Sequence, residues 1–190
     1  MPRLFTAVEI PPEIGEGLSA LRGGLPGARW IDPDNYHLTL RFIGDVDDDT
    51  AHDVMVMLGQ VRRRAFELKL SGLGQFGGRK PRAVFAAAGA SPPLNELQAE
   101  HERIFHRLGL AHDQRKFTPH VTLARLRESY PQEVADYLAL RGGYRSAPFL
   151  VSRFVLYSSR NSVGGGPYVT EAAYPLDRTG PLQDAPAATI

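Results

Sequence analysis

The alternation of apolar and polar residues along the chain predicts a mixed order of strands and helices. Runs with a period of two predict strands at 4–10, 37–43, 66–73, 83–88, 120–126, 149–157 and 168–176. Apolar residues at helical spacing predict helices at 14–21, 47–64, 92–110 and 131–140. Because several strands are joined by hairpin-like links, this order favours an α+β fold over a doubly wound parallel sheet.

Composition adds a size and a charge to this picture. The chain has 190 residues, of which 43% are hydrophobic and 23% are charged, so it is long enough for one domain or two small lobes with a shared core. The formal net charge of +1 argues against a protein that holds long nucleic acid by bulk electrostatics. This small net charge is compatible with a local basic cleft that binds the end of a nucleic acid.

Cysteine usage and hydropathy exclude several classes of protein. The sequence has no cysteine, which rules out disulfides, thiolate catalysis and cysteine-ligated metal centres. The first residues lack the apolar core of a signal peptide, and no run approaches the ~20 apolar residues of a membrane span. We therefore expect a cytoplasmic protein without a membrane partner.

Two short segments repeat the pattern His-x-Thr-Leu, as HLTL at 37–40 and as HVTL at 120–123. On a strand, residues i and i+2 point to the same face, so His37 shares a face with Thr39 and His120 shares one with Thr122. The apolar residues between them point to the opposite face and pack under a helix. Two such strands side by side would gather two imidazoles and two hydroxyls in one cleft.

This set of side chains has a recognisable chemistry. Imidazole is the group best able to give or take a proton near pH 7, and a hydroxyl can donate a hydrogen bond to a phosphate oxygen. The pattern indicates phosphodiester cleavage without a metal or other cofactor. One copy of His-x-Thr-Leu is a weak signal, because a histidine on a strand is most often structural; two copies in matching apolar contexts are far more specific.

Longer segments around the two copies resemble a known family. The segments ARWIDPDNYHLTLRFIGD and KFTPHVTLAR resemble the two signature segments of the 2H phosphoesterases. Within that superfamily they are most similar to bacterial and archaeal RNA 2',3'-cyclic phosphodiesterases, also called 2'-5' RNA ligases. The segments RLFTAVEIPPE and GQFGGRKPRAVFAA fit the same family, so the resemblance spans most of residues 3 to 176.

The resemblance implies a fold and a reaction. The expected fold is one bilobal domain over residues 1–176, with two pseudo-twofold-related lobes, antiparallel sheets lining a central cleft and helices outside. The expected reaction opens the 2',3'-cyclic phosphate at an RNA end and leaves a 2'-phosphate. By similarity His37 is the general acid, His120 is the general base, and Thr39 and Thr122 hold the phosphate. The near-symmetric motifs leave the reverse assignment of the two histidines open.

The family also places an aromatic residue and an arginine five positions after the two histidines, here Phe42 and Arg125, which would sandwich the terminal nucleobase. Aromatic and guanidinium planes stack on bases of any sequence. Position +5 has the wrong parity to share a face with the histidine, so we predict that a bulge turns both side chains toward the cleft. The alternative for Phe42 is a place in the hydrophobic core.

Several expectations remain open at this level. A related enzyme that acts on 2',5'-oligoadenylate or on ADP-ribose 1'',2''-cyclic phosphate would carry the same motifs, and so would a non-catalytic nucleotide-binding module. We expect a monomer with no bound metal and a flexible tail from about 177 to 190. Arg41 shares parity with His37, which predicts a place in the cleft or at a strand edge. The basic loop Arg79–Arg82 either reaches RNA phosphates or is solvated.

Overall fold

The computed structural model describes residues 2–159 and 166–177, within which it has an α+β fold of ten strands and four helices. The strands are β1 (Arg3–Glu9), β2 (Ala28–Trp30), β3 (His37–Asp45), β4 (Phe66–Leu68), β5 (Leu70–Phe76), β6 (Ala83–Ala88), β7 (His120–Leu126), β8 (Phe149–Val151), β9 (Arg153–Ser158) and β10 (Val169–Pro175). The helices are α1 (Pro12–Ser19), α2 (Asp48–Leu58), α3 (Pro92–Arg107) and α4 (Pro131–Arg141), with a 3-10 helix at Pro33–Asn35.

One antiparallel sheet organises the molecule. Its strands follow the order β10-β9-β1-β3-β7-β6-β5. The short strand β2 also pairs with β7, on the same side of β7 as β3 but further along the strand, and β6 pairs with the other side. The motif strands β3 and β7 meet, in the part of the chain described, at one registered pair, Leu38 with Val121. This pair joins two half-sheets related by a pseudo-twofold axis, so the expected bilobal architecture is confirmed.

The hydrophobic core lies on one face of the sheet, under the helices. Leu38 and Leu40 of β3 and Val121 and Leu123 of β7 point into it, and each is at most 3% exposed. On the opposite face a small separate cluster is formed by Phe5, Ala7 and Val155, with Tyr157 and Tyr168 packed against it. One side of the cleft is therefore lined by apolar side chains that are separate from the main core.

The helix starts follow signals present in the sequence. The carboxylate of Asp47 accepts a hydrogen bond from the backbone N–H of Thr50 at 2.7 Å, and the hydroxyl of Ser91 accepts one from Leu94 at 3.4 Å. Both contacts satisfy an N–H group that has no partner inside the helix. Helices α1, α3 and α4 carry proline in the first turn, where its missing N–H costs nothing.

Some predicted boundaries were wrong. The predicted strand 66–73 is two strands, because β4 pairs with β8 while β5 pairs with β6, and the chain must bend between these partners. The predicted helix 92–110 ends at Arg107, and a turn closes at Gly109 with φ of 75°. The predicted helix 47–64 ends at Leu58, followed by Gly59. The three-residue strand β2 is too short to show a period.

The described residues end at Asp177, where the expected C-terminal tail begins. Asp177 is bonded to the chain near β4: its N–H donates to the carbonyl of Arg63 at 2.8 Å, and its carbonyl accepts from Ala65 at 3.0 Å. The rest of the predicted tail, 178–190, lies outside the described residues. The domain boundary therefore stays a prediction.

Candidate active site

The four motif side chains meet around the pair Leu38–Val121. Because the strands are antiparallel, continuing this register by one residue places His37 across from Thr122 and Thr39 across from His120. The two histidines then occupy one diagonal of a four-residue square, where residues of a regular sheet are about 7–8 Å apart and their Cβ atoms somewhat closer. All four side chains are partly exposed on the cleft face, and they alternate with Leu38, Leu40, Val121 and Leu123, which are buried on the other face.

Both imidazoles are held by the same kind of backbone contact. Nδ1 of His37 donates to the carbonyl oxygen of Asn35 at 2.8 Å, and Nδ1 of His120 donates to that of Thr118 at 2.6 Å. A carbonyl oxygen can only accept, so each Nδ1 carries a hydrogen, and Nε2 of a neutral ring keeps its lone pair. In both lobes the anchor lies two residues before the histidine, which makes Nε2 the atom available for proton transfer.

Aromatic rings surround His37. The ring centroids of Tyr168, Phe5 and Tyr157 lie 5.0, 5.2 and 6.1 Å from that of His37. Burial among these rings lowers the pKa of His37 to about 4, although the hydrogen bond to the carbonyl of Asn35 opposes the change. The positive charges of His120 and Arg125 lower this pKa further. At pH 7 the ring of His37 is therefore neutral in the unliganded protein.

His120 has a similar but less closed environment. Phe76 and Phe85 lie 4.8 and 5.1 Å from it between ring centroids. Burial lowers the pKa of His120, the bond to the carbonyl of Thr118 raises it, and the charge of Arg125 lowers it again. Sequence reasoning assigned Phe5 and Phe85 only to strands and Phe76 to a glycine-rich loop, whereas Phe76 is the last residue of β5. Aromatic residues among small ones on the strands beside the motifs are the signal that would have identified these cleft-lining residues.

Bulges in both motif strands turn the +5 side chains to the cleft face, as predicted. In β3, Thr39 pairs with Ala7 and Arg41 pairs with Thr6, so one residue is inserted and the parity changes. In β7 the same shift falls between Thr122 and Ala124. Phe42 is consequently 47% exposed instead of lying in the core, and Arg125 is exposed as well.

The register places Phe42 and Arg125 on opposite sides of the central pair. Phe42 follows Leu38 by four positions along β3, and Arg125 follows Val121 by four positions along the antiparallel β7. Allowing one residue for each bulge, about 20 Å of strand separates the two backbones. A base held between Phe42 and Arg125 thus requires both side chains to reach inward. The guanidinium of Arg125 lies close enough to the cleft for its positive charge to lower the pKa of both histidines.

Arg41 lies neither in the cleft nor at a strand edge, so both expectations for it were wrong. The bulge in β3 turns Arg41 to the core face, where it is 7% exposed. Its Nε lies 2.5 Å from Oε1 of Glu102, and its other nitrogens donate to the carbonyls of Phe42 and Ala111. Arg41 therefore ties β3 to α3 and to the segment that leads into β7.

The remaining histidines do not converge on the cleft. His101 is fully buried, and its Nδ1 lies 2.9 Å from the hydroxyl of Thr6. His112 lies 3.0 Å from Glu102, and its ring is 6.2 Å from that of His106. Within residues 2–159 and 166–177, no three His, Cys, Asp or Glu side chains are grouped as metal ligands.

The fold and the paired motifs define the class of this protein. An antiparallel bilobal sheet with one His-x-Thr segment per lobe, both facing one cleft, is the arrangement of the two-histidine phosphoesterases. The 2'-5' RNA ligase superfamily model matches residues 10–162. The chain belongs to the 2'-5' RNA ligase superfamily.

Individual relatives agree with this placement. An RNA 2',3'-cyclic phosphodiesterase of Geobacillus stearothermophilus is 32% identical over 183 residues, which are 90% of this chain and 56% of that protein. One of Aquifex aeolicus is 31% identical over 77% of this chain and 81% of its own length. Among solved structures, LigT of E. coli complexed with 3'-AMP matches with a TM-score of 0.77 and 27% identity over 94% of this chain and all of that one.

The extent of the match differs among relatives. The chain spans 56% and 60% of the lengths of the Geobacillus stearothermophilus and Aeropyrum pernix proteins. The TT0787 structure of Thermus thermophilus has a TM-score of 0.78 at 24% identity over 94% of this chain and all of that one, so it supports the fold alone. In the described part of the chain, every helix is too short or too polar to span a membrane.

Proposed function

We propose that this protein hydrolyses the 2',3'-cyclic phosphate at an RNA end to a 2'-phosphate without a metal. One observation carries the proposal: two imidazoles with matching backbone anchors lie diagonally across a His/Thr square and present Nε2 to one cleft. One neutral ring can take a proton from water while one protonated ring gives a proton to the leaving oxygen. Several relatives are named for this reaction.

The two threonines are the proposed phosphate ligands. Thr39 and Thr122 complete the square, each beside one histidine on its own strand and across from the other. A phosphorus at the centre of the square has its two non-bridging oxygens near the hydroxyls and its two apical oxygens near the imidazoles. This arrangement fits an in-line displacement, in which the attacking and leaving oxygens lie on opposite sides of phosphorus.

The charges around the cleft indicate which histidine faces the nucleotide. His37 lies on the same side of the central pair as Arg125, and His120 lies on the side of Phe42. We place the ribose and base on the Arg125 side, where the guanidinium can stack on the base. The leaving O3' belongs to that ribose, so His37 is the general acid and His120 is the base that activates water.

The reverse assignment has one observation in its favour. In the unliganded protein His37 has the more strongly lowered pKa, so the first proton taken up on acidification goes to His120. Our assignment therefore requires the bound phosphate anion to raise the pKa of His37. A substrate with sulfur in place of O3' decides between the two, because a thiolate leaves without a general acid. It should restore turnover to the variant of the acid histidine and not to that of the base.

The direct test is to incubate RNA that ends in a 2',3'-cyclic phosphate with the protein and to identify the product. We expect a 2'-phosphate, with rates reduced at least about a hundredfold in His37→Ala and His120→Ala. His52→Ala, an exposed histidine of α2, is the matched control. Near-normal turnover by either cleft variant, or strong inhibition by EDTA, would reject the mechanism.

A second substrate is favoured by the exposed ring of Phe42, which follows the central pair on β3 and packs on Phe5. Phe42 and Phe5 lie 5.5 Å apart between ring centroids, and Phe42 is 47% exposed. A second nucleoside stacked on Phe42 would place a 2',5'-linked phosphodiester across the same square. Side-by-side assays of the cyclic phosphate and of 2',5'-linked RNA test this. Phe42→Ala should lower cleavage of the linked substrate more than that of the cyclic one.

A further inference from the structure

The two motif strands leave the cleft in opposite directions and end in opposite charge. The end of β3 and the chain that follows it carry four exposed carboxylates, those of Asp45, Asp47, Asp48 and Asp49. The other end of the cleft, where β7 finishes, carries exposed cationic side chains that we call the basic exit: Arg29, Arg79, Lys80, Arg82 and Arg127. The net charge of the whole chain is only +1, so this concentration is local.

Strand pairing places the basic exit directly beside Arg125. Arg29 of β2 is registered opposite Arg125 on one edge of β7, and Ala83, the first residue of β6, is opposite Arg125 on the other edge. The β5–β6 hairpin, with Arg79 and Lys80 near its tip, therefore extends past Arg125 away from the histidines.

The two ends also differ in how their charges are used. Asp45 is neutralised by Arg3 at 2.9 Å, and Asp47 caps helix α2. In the basic exit, Arg79, Lys80, Arg82 and Arg127 form no ion pair within residues 2–159 and 166–177. These four side chains can therefore bind an external anion without first breaking an ion pair within the described residues.

Two glycines fix the turns that present these charges. Gly77 has φ of 109°, and a Cβ there would lie 2.1 Å from the carbonyl oxygen of Lys80. Gly27 has φ of 74°, and a Cβ there would lie 2.2 Å from the carbonyl oxygen of Arg127. Any other residue would clash with backbone at both positions, so each turn is closed tightly against the strand end.

We infer that the basic exit binds the phosphodiester backbone of single-stranded RNA on the 5' side of the terminal cyclic phosphate. This inference rests on the proposed function, in which the ribose lies on the Arg125 side, and it adds that the 5' oxygen of this ribose points toward the basic exit. The carboxylates of Asp48 and Asp49 at the opposite end disfavour a polyanion there, so the strand is expected to leave the cleft toward the basic exit. Oligonucleotides that end in a cyclic phosphate are then better substrates than mononucleoside cyclic phosphates.

The experiment compares kcat/KM for an oligonucleotide of about six residues with kcat/KM for the mononucleoside 2',3'-cyclic phosphate. The variants are the triple change Arg79→Gln, Lys80→Gln and Arg82→Gln, and the single change Arg29→Gln. We expect the triple variant to lower the ratio of the two kcat/KM values about tenfold and Arg29→Gln to lower it severalfold. The salt slope, defined as the slope of log kcat/KM for the oligonucleotide against log salt concentration, should become shallower by about 0.7 for each phosphate contact removed.

The control removes exposed charge from the far side of the molecule. Arg103→Gln with Arg107→Gln changes two arginines of α3, the helix whose buried face covers the sheet face opposite the cleft. This variant should keep the wild-type ratio and salt slope. An equal loss in both sets of variants, or a ratio that the triple change leaves at the wild-type value, would overturn the inference.

A binding measurement separates this inference from the proposed function. The anisotropy of a 5'-labelled oligonucleotide with a 2'-phosphate end reports backbone binding without turnover. Weaker binding by the triple variant supports the basic exit even if the wild type hydrolyses neither substrate, an outcome that would reject the proposed function alone. Unchanged binding by the triple variant, with both substrates hydrolysed, would reject the basic exit alone.

Discussion

We expect kcat/KM for a cyclic-phosphate substrate to fall about tenfold for each pH unit between pH 7 and pH 9. Burial and the charge of Arg125 lower the pKa of both cleft histidines, and that of His37 reaches about 4. Catalysis needs one protonated ring, so above pH 6.5 the unliganded enzyme must take up a proton before it can react. The activity therefore follows the proton concentration under either assignment of acid and base.

The size of the effect follows from the pKa of His37. With a pKa of about 4, roughly one molecule in a thousand carries a proton on both nitrogens of His37 at pH 7. The free energy needed to protonate His37 at this pH is therefore about 4 kcal/mol. Protonating a histidine with an unperturbed pKa costs less than about 1 kcal/mol at the same pH. Most of the difference comes from the rings of Phe5, Tyr157 and Tyr168, because these rings displace water from the imidazole.

The assay uses the mononucleoside cyclic phosphate far below its KM, at constant ionic strength. Arg125→Gln removes a charge that lowers both pKa values, so the decline of kcat/KM should begin at a higher pH than in the wild type. Arg125→Lys keeps the charge and should leave the onset in place, even where stacking is weakened. A kcat/KM that is constant from pH 7 to pH 8.5, or an equal shift in both variants, would refute this reasoning.

Other predictions concern stability and phosphate binding. Burial lowers the pKa of His101 to about 3, so below pH 6.5 the unfolded chain takes up a proton on His101 before the folded protein does. The free energy of unfolding measured with urea should therefore fall by about 2 kcal/mol between pH 7 and pH 5. His101→Leu should remove this part of the pH dependence. Arg41→Met should cost about 3 kcal/mol in the same assay, because it removes the arginine partner of the largely buried Glu102, which keeps only its contact with the exposed His112 as an ion pair. Adding Glu102→Gln should recover part of the loss. Thr39→Val and Thr122→Val should each lower kcat about ten- to a hundredfold with unchanged unfolding midpoints; normal kcat in both would remove the threonines from the mechanism.

The sequence predicted the parts of the site that depend on local periodicity. A strand alternates its faces every residue, so His37 and Thr39, like His120 and Thr122, had to share a face wherever the strands lay. The same rule required a bulge if Phe42 and Arg125 were to face the cleft, and in each strand a bulge lies between the histidine and the residue five positions after it. Alternation also identified most strands, while short β2 and the break at Lys69 carried too few residues to show a period.

Other features depend on residues that are distant along the chain, and only the tertiary structure decided them. Arg41 looked like a cleft residue by parity, yet the bulge turned it inward to Glu102 of α3. The low pKa of His37 comes from rings on three other segments, and the basic exit exists because β2 and the β5–β6 hairpin flank the same end of β7. Periodicity fixes which face a side chain takes, whereas burial and electric field depend on what the fold packs against that face.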